Sequence, residues 1–297
     1  MSLTRIGILG GSGLYRMEGL AEVREQVIDT PFGKPSDALL LGKIDGVSVA
    51  FLARHGRTHG LAPAEIPYRA NIYAMKSLGV QYLLSVSAVG SMREEIAPLH
   101  MVLPDQYIDF TQKRERTFFG DGAVAHVALA DPVCAALRGV LAQAFADARA
   151  DDPRFADIEL HDGGSYVCIE GPAFSTRAES HWYRSLGASV IGMTNMPEAR
   201  LAREAEIAYA SLALATDWDC WHPHQACVSA EMAIANLQGN AERAQVLLRH
   251  AIRRLARIWP ESPAHRALDS ALVTRPEQMS EAVRKRLHSI VGRFFKP

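Results

Sequence analysis

Short apolar runs alternate with helical patterns along most of this chain, and that alternation is what most constrains its fold. Runs typical of strands lie at residues 5–9, 39–44, 47–53, 80–87, 101–107, 165–169, 189–193 and 207–215. Patterns typical of helices lie at residues 69–78, 132–148, 176–186 and 197–204. Several strand runs are apolar on both faces, as buried central strands are. The sequence therefore predicts an α/β fold with helices flanking a central sheet.

The C-terminal part of the chain is predicted to be helical. Apolar residues from Leu247 to Ile258 follow helical spacing, and the arginines among them lie largely on the other, solvated face. A second helix is predicted at about 280–294. The length of 297 residues allows two domains. Because no repeat or Gly/Ser linker divides the chain, we predict one domain over residues 1–297, with a C-terminal helical extension from about 261.

Charge and cysteine content limit the possible partners and compartments. Lys plus Arg number 32 and Asp plus Glu 33, a net charge of −1, which argues against a nucleic-acid polymer or an anionic membrane as partner. Four cysteines are too few to staple so long a chain, so free thiols are expected. The N-terminus lacks a signal-peptide pattern, and the apolar run 207–216 has about half of the ~20 residues that a membrane helix needs. We expect a cytoplasmic protein.

Two segments are candidate anion sites. The first strand run leads into Gly10-Gly11-Ser12-Gly13, whose backbone N–H groups can close around an anion or form a tight turn. The dinucleotide fingerprint requires glycine where Arg16 stands, and the Walker pattern also fails. Residues 54–59 hold two arginines and two histidines after a strand, which favours phosphate binding over a salt-bridged loop. Their Arg-His-Gly triplet also occurs in histidine phosphatases, although that family has it at its first strand.

Two further segments carry polar groups at strand ends. Residues 85–91 are rich in serine and close a strand, where α/β proteins bind ligands, although such ends are also common turns. Asp217 and Asp219 follow an uncharged strand beside two tryptophans. Desolvation and like-charge repulsion raise the pKa of such a carboxyl, which makes a general acid at neutral pH. The alternative is a helix N-cap with an exposed partner.

A cluster of Cys220, His222, His224 and Cys227 resembles a metal site in composition only. Zinc sites normally use CxxC pairs or ligands spaced by three or four residues along a helix. The spacing here would require an unusual loop, so we predict no metal.

The chain carries, in order from residue 6 to about 221, the stretches IGILGGSGLY, DTPFGKPSDALLLGKI, FLARHGRTH, IPYRANIYAMKSLGV, SAVGSMREEIAPL, IEGPAFSTRAES, IGMTNMPEARLAREAEIAYA and ATDWDCW. With these stretches it resembles the 5'-methylthioadenosine phosphorylases, of the trimeric purine nucleoside phosphorylase superfamily. The resemblance implies a single domain with a central mixed β-sheet, a homotrimer with active sites at subunit interfaces, and no cofactor, with inorganic phosphate as co-substrate.

The resemblance also implies the site residues. The phosphate site falls on Ser12, Arg54, His55, Ser87, Ala88 and Thr194. The ribose and thioether pocket falls on Phe174, Met193 and His126, with His126 reaching across from a neighbouring subunit. The purine site falls on Asp217, Trp218 and Asp219, with Ser175 and Ala230 as specificity positions. The family often has Thr at the Ser12 position and a larger aliphatic residue at the Ala230 position, so Ala230 is expected to enlarge the base pocket.

The implied reaction is the phosphate-dependent cleavage of 5'-methylthioadenosine to adenine and 5-methylthioribose 1-phosphate. Our hypothesis is that Asp217 gives a proton to the imidazole ring of the purine, while Asp219 holds the base loop and keeps a proton in the pair. Three alternatives stay open from the sequence: a purine nucleoside phosphorylase of broader or 6-oxopurine specificity, a phosphohydrolase that uses His55, and a non-catalytic nucleoside binder.

Overall fold

The protein is built on one mixed sheet. A computed structural model describes residues 4–11, 17, 19–225 and 227–295, without the side chain of Gln238. The sheet has eleven strands within these residues. They are β1 (Ile6–Gly10), β2 (Leu20–Gln26), β3 (Leu39–Ile44), β4 (Val47–Ala53), β5 (Tyr82–Ser91), β6 (Met101–Leu103), β7 (Gln106–Asp109), β8 (Leu160–Asp162), β9 (Ser165–Cys168), β10 (Ala188–Gly192) and β11 (Ala208–Asp217).

Parallel pairing dominates the centre of this sheet. The main order is β2-β3-β4-β1-β5-β10-β9-β7, and β11 pairs with β5 and with β6, which in turn pairs with β8. Strand β1 runs parallel to β4 and β5, and β5 runs parallel to β11, whereas β10 meets β5 in antiparallel fashion. The prediction of an α/β fold with a mixed central sheet is confirmed. Four parallel strands, β1, β4, β5 and β11, direct their carboxyl ends to the same edge.

The predicted helices are present, with shifted ends. The helices of the described residues are α1 (Tyr68–Ser77), α2 (Ala135–Asp151), α3 (Arg177–Ser185), α4 (Asn195–Glu204), α5 (Ala230–Ile258), α6 (Glu281–Arg286) and α7 (His288–Val291). Helix α5 begins well before the apolar stripe from which it was predicted. The predicted helix at 280–294 is divided into α6, α7 and a 3-10 turn at Gly292–Phe294.

Two strands were not predicted, and one predicted strand is interrupted. Strand β2 is mostly polar and exposed because it lies at the edge of the sheet, and β8 has only three residues. The predicted strand at 101–107 is divided into β6 and β7 at Pro104 and Asp105. Proline has no N–H for the strand ladder, so the ladder breaks there.

Both faces of the sheet are covered by apolar side chains. Along β1, Ile6 and Ile8 pack on the side of α2 and α5, while Leu9 packs on the side of α1 and α4, following the two-residue alternation of a strand. Leu268 and Leu287, beyond α5, are buried on the α1 side. No helix among the described residues is both long and apolar enough to span a membrane.

Candidate active site

A cavity of about 540 Å³ lies at the edge where the parallel strands end. This is a normal size for a small-molecule site and a normal position for one in an α/β sheet. The predicted site residues that line it are Arg54, His55, Ser87, Ala88, Phe174, Ser175, Met193, Thr194, Asp217 and Asp219. The fold therefore brings predicted residues from five separate segments of the chain to one cavity.

Arg54, at the end of β4, forms a buried ion pair beneath one end of this cavity. Its side chain is almost fully buried, and its Nε and Nη2 atoms donate to the two carboxylate oxygens of Glu198 at 2.7 and 3.1 Å. Glu198 also accepts hydrogen bonds from the hydroxyls of Ser85 (2.6 Å) and Tyr209 (2.9 Å). Nη1 has two hydrogens and donates one bond, to the Val86 carbonyl at 3.0 Å. The guanidinium is thus rigidly held and largely neutralised, and within the described residues one Nη1 hydrogen has no acceptor and is suited to a ligand.

His55 follows Arg54 and is neutral at physiological pH. Burial lowers the pKa of its imidazole to about 4. Its Nδ1 lies 2.8 Å from the Leu61 carbonyl, so this nitrogen carries the hydrogen and donates it. The ring stacks on that of His59, with 4.3 Å between the centroids. His55 therefore presents an uncharged ring, with Nε2 as an acceptor.

Two buried hydroxyls line the same end without a partner. Ser87 on β5 is 7 % exposed and Thr194 after β10 is 6 % exposed. Neither Ser87 Oγ nor Thr194 Oγ1 has a hydrogen-bond partner among the described residues. Buried polar atoms are normally paired, and each unpaired one costs about 1–3 kcal/mol. Such hydroxyls are suited to donate to an acceptor-only ligand such as phosphate.

Asp217 ends β11 at the opposite end of the cavity. It is 4 % exposed, and its two carboxylate oxygens accept hydrogen bonds from the Asp219 backbone N–H (2.8 Å) and the Thr216 hydroxyl (2.7 Å). Burial raises the pKa of Asp217, and the charge of Asp219 raises it further. A Cβ on Gly90 would lie 2.8 Å from Asp217 Oδ1, so glycine is what gives the carboxyl its space. Burial therefore keeps the pKa of this carboxyl above its usual value, although the two hydrogen bonds that it accepts favour the ionised form.

Asp219 lies beside Asp217 in a left-handed turn, with φ of 50°. It is 3 % exposed, and burial raises its pKa also. The hydroxyls of Ser175 and Ser180 lie next to it and partly offset this rise. A site with two neighbouring carboxyls of raised pKa can hold one shared proton near neutral pH.

Apolar side chains line the cavity between the two polar ends. Phe174, which is 43 % exposed, and Met193 were predicted there. Ala233, Ile234 and Leu237 of α5 also line the cavity, and the sequence analysis missed them. Their three- and four-residue spacing is the signal that could have found them. The middle of the cavity is therefore suited to an apolar group.

Similarity to known proteins identifies the family of this chain. A family model described as the phosphorylase superfamily matches residues 5–253. The S-methyl-5'-thioadenosine phosphorylase of Thermosynechococcus vestitus is 58 % identical over 290 residues, which cover 98 % of this chain and 99 % of that protein. The one from Geobacter sulfurreducens is 53 % identical over 290 residues, with 97 % and 98 % covered. The chain belongs to the S-methyl-5'-thioadenosine phosphorylases.

Solved structures agree with this assignment. A methylthioadenosine phosphorylase from an antarctic soil metagenomic library matches the phosphorylase with a TM-score of 0.92 and 56 % identity, covering 98 % of this chain and 99 % of that one. The methylthioadenosine phosphorylase of Schistosoma mansoni, in complex with adenine, matches with a TM-score of 0.80 and 36 % identity, covering 86 % and 92 %. The predicted family is confirmed.

Some predicted residues of the phosphorylase do not line the cavity. Ala230 is the exposed first residue of α5 and does not line the cavity, and its role as a specificity residue stays a prediction. Trp218 lies outside the cavity and packs against Trp221, with 5.8 Å between ring centroids. His126 is exposed, and its backbone N–H donates to the Ala271 carbonyl. That its side chain reaches into a neighbouring subunit stays a prediction. Ser12 lies outside the described residues.

Arg114 of the phosphorylase braces the loops around the cavity, and sequence reasoning missed it. Its buried guanidinium donates through Nη1 to the carbonyls of Met193 (2.6 Å) and Met196 (2.7 Å) and through Nη2 to the carbonyl of Glu170 (2.8 Å). Its Nε donates to the Glu170 carboxylate at 2.9 Å. These bonds join the segment before Phe174 to the segment that holds Met193 and Thr194. The cavity wall is therefore fixed by a single side chain from a distant loop.

A possible metal-ligand group lies elsewhere in the phosphorylase. Among the described residues, His100, Glu159 and His161 are the group whose ligand atoms lie within 4.8 Å of one another. None of them lines the cavity. His100 Nδ1 already accepts from the Ala97 N–H at 3.3 Å and lies 3.0 Å from His161 Nε2. This geometry is that of a hydrogen-bonded histidine pair.

Proposed function

We propose that this protein cleaves 5'-methylthioadenosine with inorganic phosphate, releasing adenine and 5-methylthioribose 1-phosphate. One observation carries the proposal: a single cavity holds buried, unpartnered hydroxyls at one end and two buried carboxyls at the other, with apolar side chains between them. These are the groups that phosphate, a purine and a methylthioribose require. Relatives at 53–58 % identity carry the name of this activity.

The reaction develops positive charge on the ribose and negative charge on the leaving purine, and the cavity holds groups that stabilise each of these charges. As the bond between C1' and the purine nitrogen breaks, its electron pair goes to the purine and positive charge develops on the ribose. A phosphate oxygen, held by Ser87, Thr194 and the Arg54 N–H, forms the new bond to C1'. Asp217 gives its proton to the imidazole ring of the purine, so adenine leaves as a neutral base. The carboxylate regains a proton after product release.

The raised pKa of Asp217 is what makes it a proton donor. A carboxyl in water is ionised at neutral pH, whereas burial of Asp217 favours its neutral form. General acid catalysis of this kind contributes roughly 10²- to 10⁴-fold to the rate. Asp219, beside it, accepts a hydrogen bond from the 6-amino group of adenine. A 6-oxo group there would leave an acceptor facing an acceptor, a mismatch on the order of 10⁴-fold.

The proposal includes the assembly and the environment of the enzyme. The active unit is a homotrimer with sites at the subunit interfaces, and His126 of one subunit completes the pocket of another. Each chain acts as a single phosphorylase domain with an extension from about 261, and it requires no cofactor, because phosphate is the co-substrate. All four cysteines are free thiols, which favours a cytoplasmic location.

One assay tests the proposal. The protein is incubated with 5'-methylthioadenosine, with and without phosphate, and adenine release is followed; adenosine and methylthioinosine are then compared as substrates. We expect phosphate-dependent release of adenine and a preference for the methylthio substrate over adenosine. A phosphohistidine at His55 would instead indicate a phosphohydrolase, faster cleavage of methylthioinosine a 6-oxopurine phosphorylase, and binding without turnover a nucleoside binder.

A further inference from the structure

Tyr166 lies directly behind the phosphate end of the cavity, although it does not line the cavity. It belongs to β9, is 0 % exposed, and is paired in register with Val190 of β10. Its hydroxyl passes beneath Gly192, which does line the cavity. A Cβ on Gly192 would lie 2.0 Å from the Tyr166 hydroxyl and 2.6 Å from Cζ. Only a residue without a side chain leaves room for this phenol.

The Tyr166 hydroxyl has no hydrogen-bond partner among the described residues. Other buried tyrosines among the described residues are paired: the Tyr209 hydroxyl donates to Glu198 at 2.9 Å, the Tyr82 hydroxyl donates to the Pro260 carbonyl at 2.7 Å, and the Tyr68 hydroxyl donates to the Pro63 carbonyl at 3.0 Å. An unpaired buried phenol is costly. Its persistence at this position indicates that it acquires a partner in another state of the site.

The nearest candidates for that partner are the two open hydroxyls of the cavity. Burial raises the pKa of the Tyr166 phenol, and the hydroxyls of Ser87 and Thr194, which lie within its reach, lower that pKa in part. Both hydroxyls are buried, and neither forms a well-aligned hydrogen bond with the described residues. Three hydroxyls thus cluster where two strands and one loop meet. Each of them carries one hydrogen and can accept others.

Counting hydrogens shows what phosphate does to this cluster. Phosphate oxygens mainly accept, so the O–H groups of Ser87 and Thr194 both turn toward the anion when it binds. The Ser87 oxygen then lacks a donor. Tyr166 has an O–H to give, and of the two neighbouring hydroxyls Ser87 interacts with it more strongly than Thr194 does, so phosphate binding completes a chain from tyrosine through serine to phosphate. Chains of this kind strengthen each of their bonds.

We propose that Tyr166 is a positioning residue for phosphate, whose O–H donates to the Ser87 hydroxyl oxygen and so holds the Ser87 O–H toward the bound anion. The inference rests on the proposed function, because it assigns phosphate to this end of the cavity. Tyr166 itself does not touch the substrate. It acts through Ser87, and Gly192 is the residue that gives it access.

The test compares Tyr166→Phe with Tyr82→Phe, a matched loss of a buried phenol hydroxyl far from the cavity. We expect Tyr166→Phe to raise KM for phosphate by about tenfold, the value of a neutral hydrogen bond, with KM for 5'-methylthioadenosine unchanged. The thermal stability of Tyr166→Phe without phosphate is expected to match or exceed that of the wild type, because an unpaired hydroxyl is removed. Tyr82→Phe is expected to lower stability and leave KM for phosphate unchanged. A KM for phosphate within twofold of wild type in Tyr166→Phe overturns the inference.

A double-mutant cycle tests the route through Ser87. In a Ser87→Ala background, Tyr166→Phe is expected to have no further effect on KM for phosphate. If the fold increase in KM of the double variant equals the product of the two single increases, the residues act independently and the proposed chain is overturned. The rise in thermal stability caused by inorganic phosphate alone gives a second readout that requires no turnover. Suppose that the wild type releases no adenine, but that phosphate raises the thermal stability of Tyr166→Phe less than that of the wild type. The proposed activity then fails and this inference stands. If adenine is released and both readouts match wild type, only this inference fails.

Discussion

Replacing Asp217 by Asn separates the chemistry of the base end from its structural role. The carboxyl accepts two hydrogen bonds, from the Asp219 N–H and from the Thr216 hydroxyl. Asn can keep its oxygen toward the Asp219 N–H and point its amide toward Thr216. The Thr216 hydroxyl has a second acceptor, the Val89 carbonyl at 3.2 Å, so it can rotate and accept from the amide. The folded structure therefore loses little, about 1 kcal/mol or less.

The same substitution removes the proton donor. General acid catalysis contributes roughly 10²- to 10⁴-fold, which is about 3–5 kcal/mol of transition-state stabilisation at about 1.4 kcal/mol per factor of ten. We expect kcat/KM for 5'-methylthioadenosine to fall by this factor in Asp217→Asn, and kcat/KM for methylthioinosine to fall with it, because both purines lose the same proton donor and Asp219 is unchanged. Adenine and hypoxanthine release are measured under saturating phosphate. Asp147→Asn, which removes a charge from an ion pair with Arg254 outside the cavity, serves as the control and is expected to keep full activity.

The pH dependence of stability gives an independent check on this reasoning. Because burial raises the pKa of Asp217, the folded protein holds that proton more tightly than the unfolded chain does. The stability of the wild type should therefore fall as pH rises from the pKa of the unfolded chain through the raised pKa of the folded state. Asn does not titrate, so Asp217→Asn should gain stability relative to wild type in chemical unfolding as the pH rises above the pKa of the unfolded carboxyl. Unchanged activity on both substrates would refute the role of Asp217 at the base.

Three further substitutions test other parts of the site. Glu198→Ala leaves a buried guanidinium unpaired and should lower the free energy of unfolding by about 3–5 kcal/mol in a denaturant titration, whereas Asp45→Asn, at an exposed ion pair, should cost less than about 1 kcal/mol; equal losses would contradict this. His55 has a folded-state pKa of about 4, so wild-type stability should fall as pH drops from 6.5 toward 4, and a His55→Gln variant with the same slope in thermal unfolding would exclude His55 as the cause. Gly90→Ala places a methyl group 2.8 Å from Asp217 Oδ1 and should reduce kcat/KM for the nucleoside by about 10²-fold without changing KM for phosphate; a parallel rise in KM for phosphate would argue against a local effect.

The sequence predicted the parts of the site that are local in the chain. Asp217 could be predicted because an uncharged strand ends in a carboxyl beside a tryptophan, and burial follows from that pattern. The first part of α5 could not be predicted as a helix, because Asn236, Gly239 and Asn240 are weak helix formers. The structure explains them: the Asn236 and Asn240 amides donate to the carbonyls of Thr216 and Ala215, which ties α5 to β11 beside the catalytic end.

Contacts between residues that are far apart in the chain could not be predicted from the sequence. Glu198 neutralises Arg54 from 144 positions away, and Arg114 braces carbonyls near Met193 from 79 positions away. No spacing rule joins such residues, because their proximity depends on the order of strands in the sheet. Ala230 lies at the exposed start of α5, whereas Ala233 and Leu237 of the same helix line the cavity, and the role of Ala230 stays a prediction.

The closed ion pair beneath the phosphate end has a consequence for turnover. An unpaired buried guanidinium would hold a sugar phosphate tightly after the reaction, and the enzyme would be inhibited by its own product. Because Glu198, Ser85 and the Val86 carbonyl together already take most of the Arg54 donors, phosphate and its ester meet mainly neutral donors, whose bonds are about half as strong as charge-assisted ones. We expect an anion site that orients its nucleophile, releases its ester readily, and depends only weakly on ionic strength.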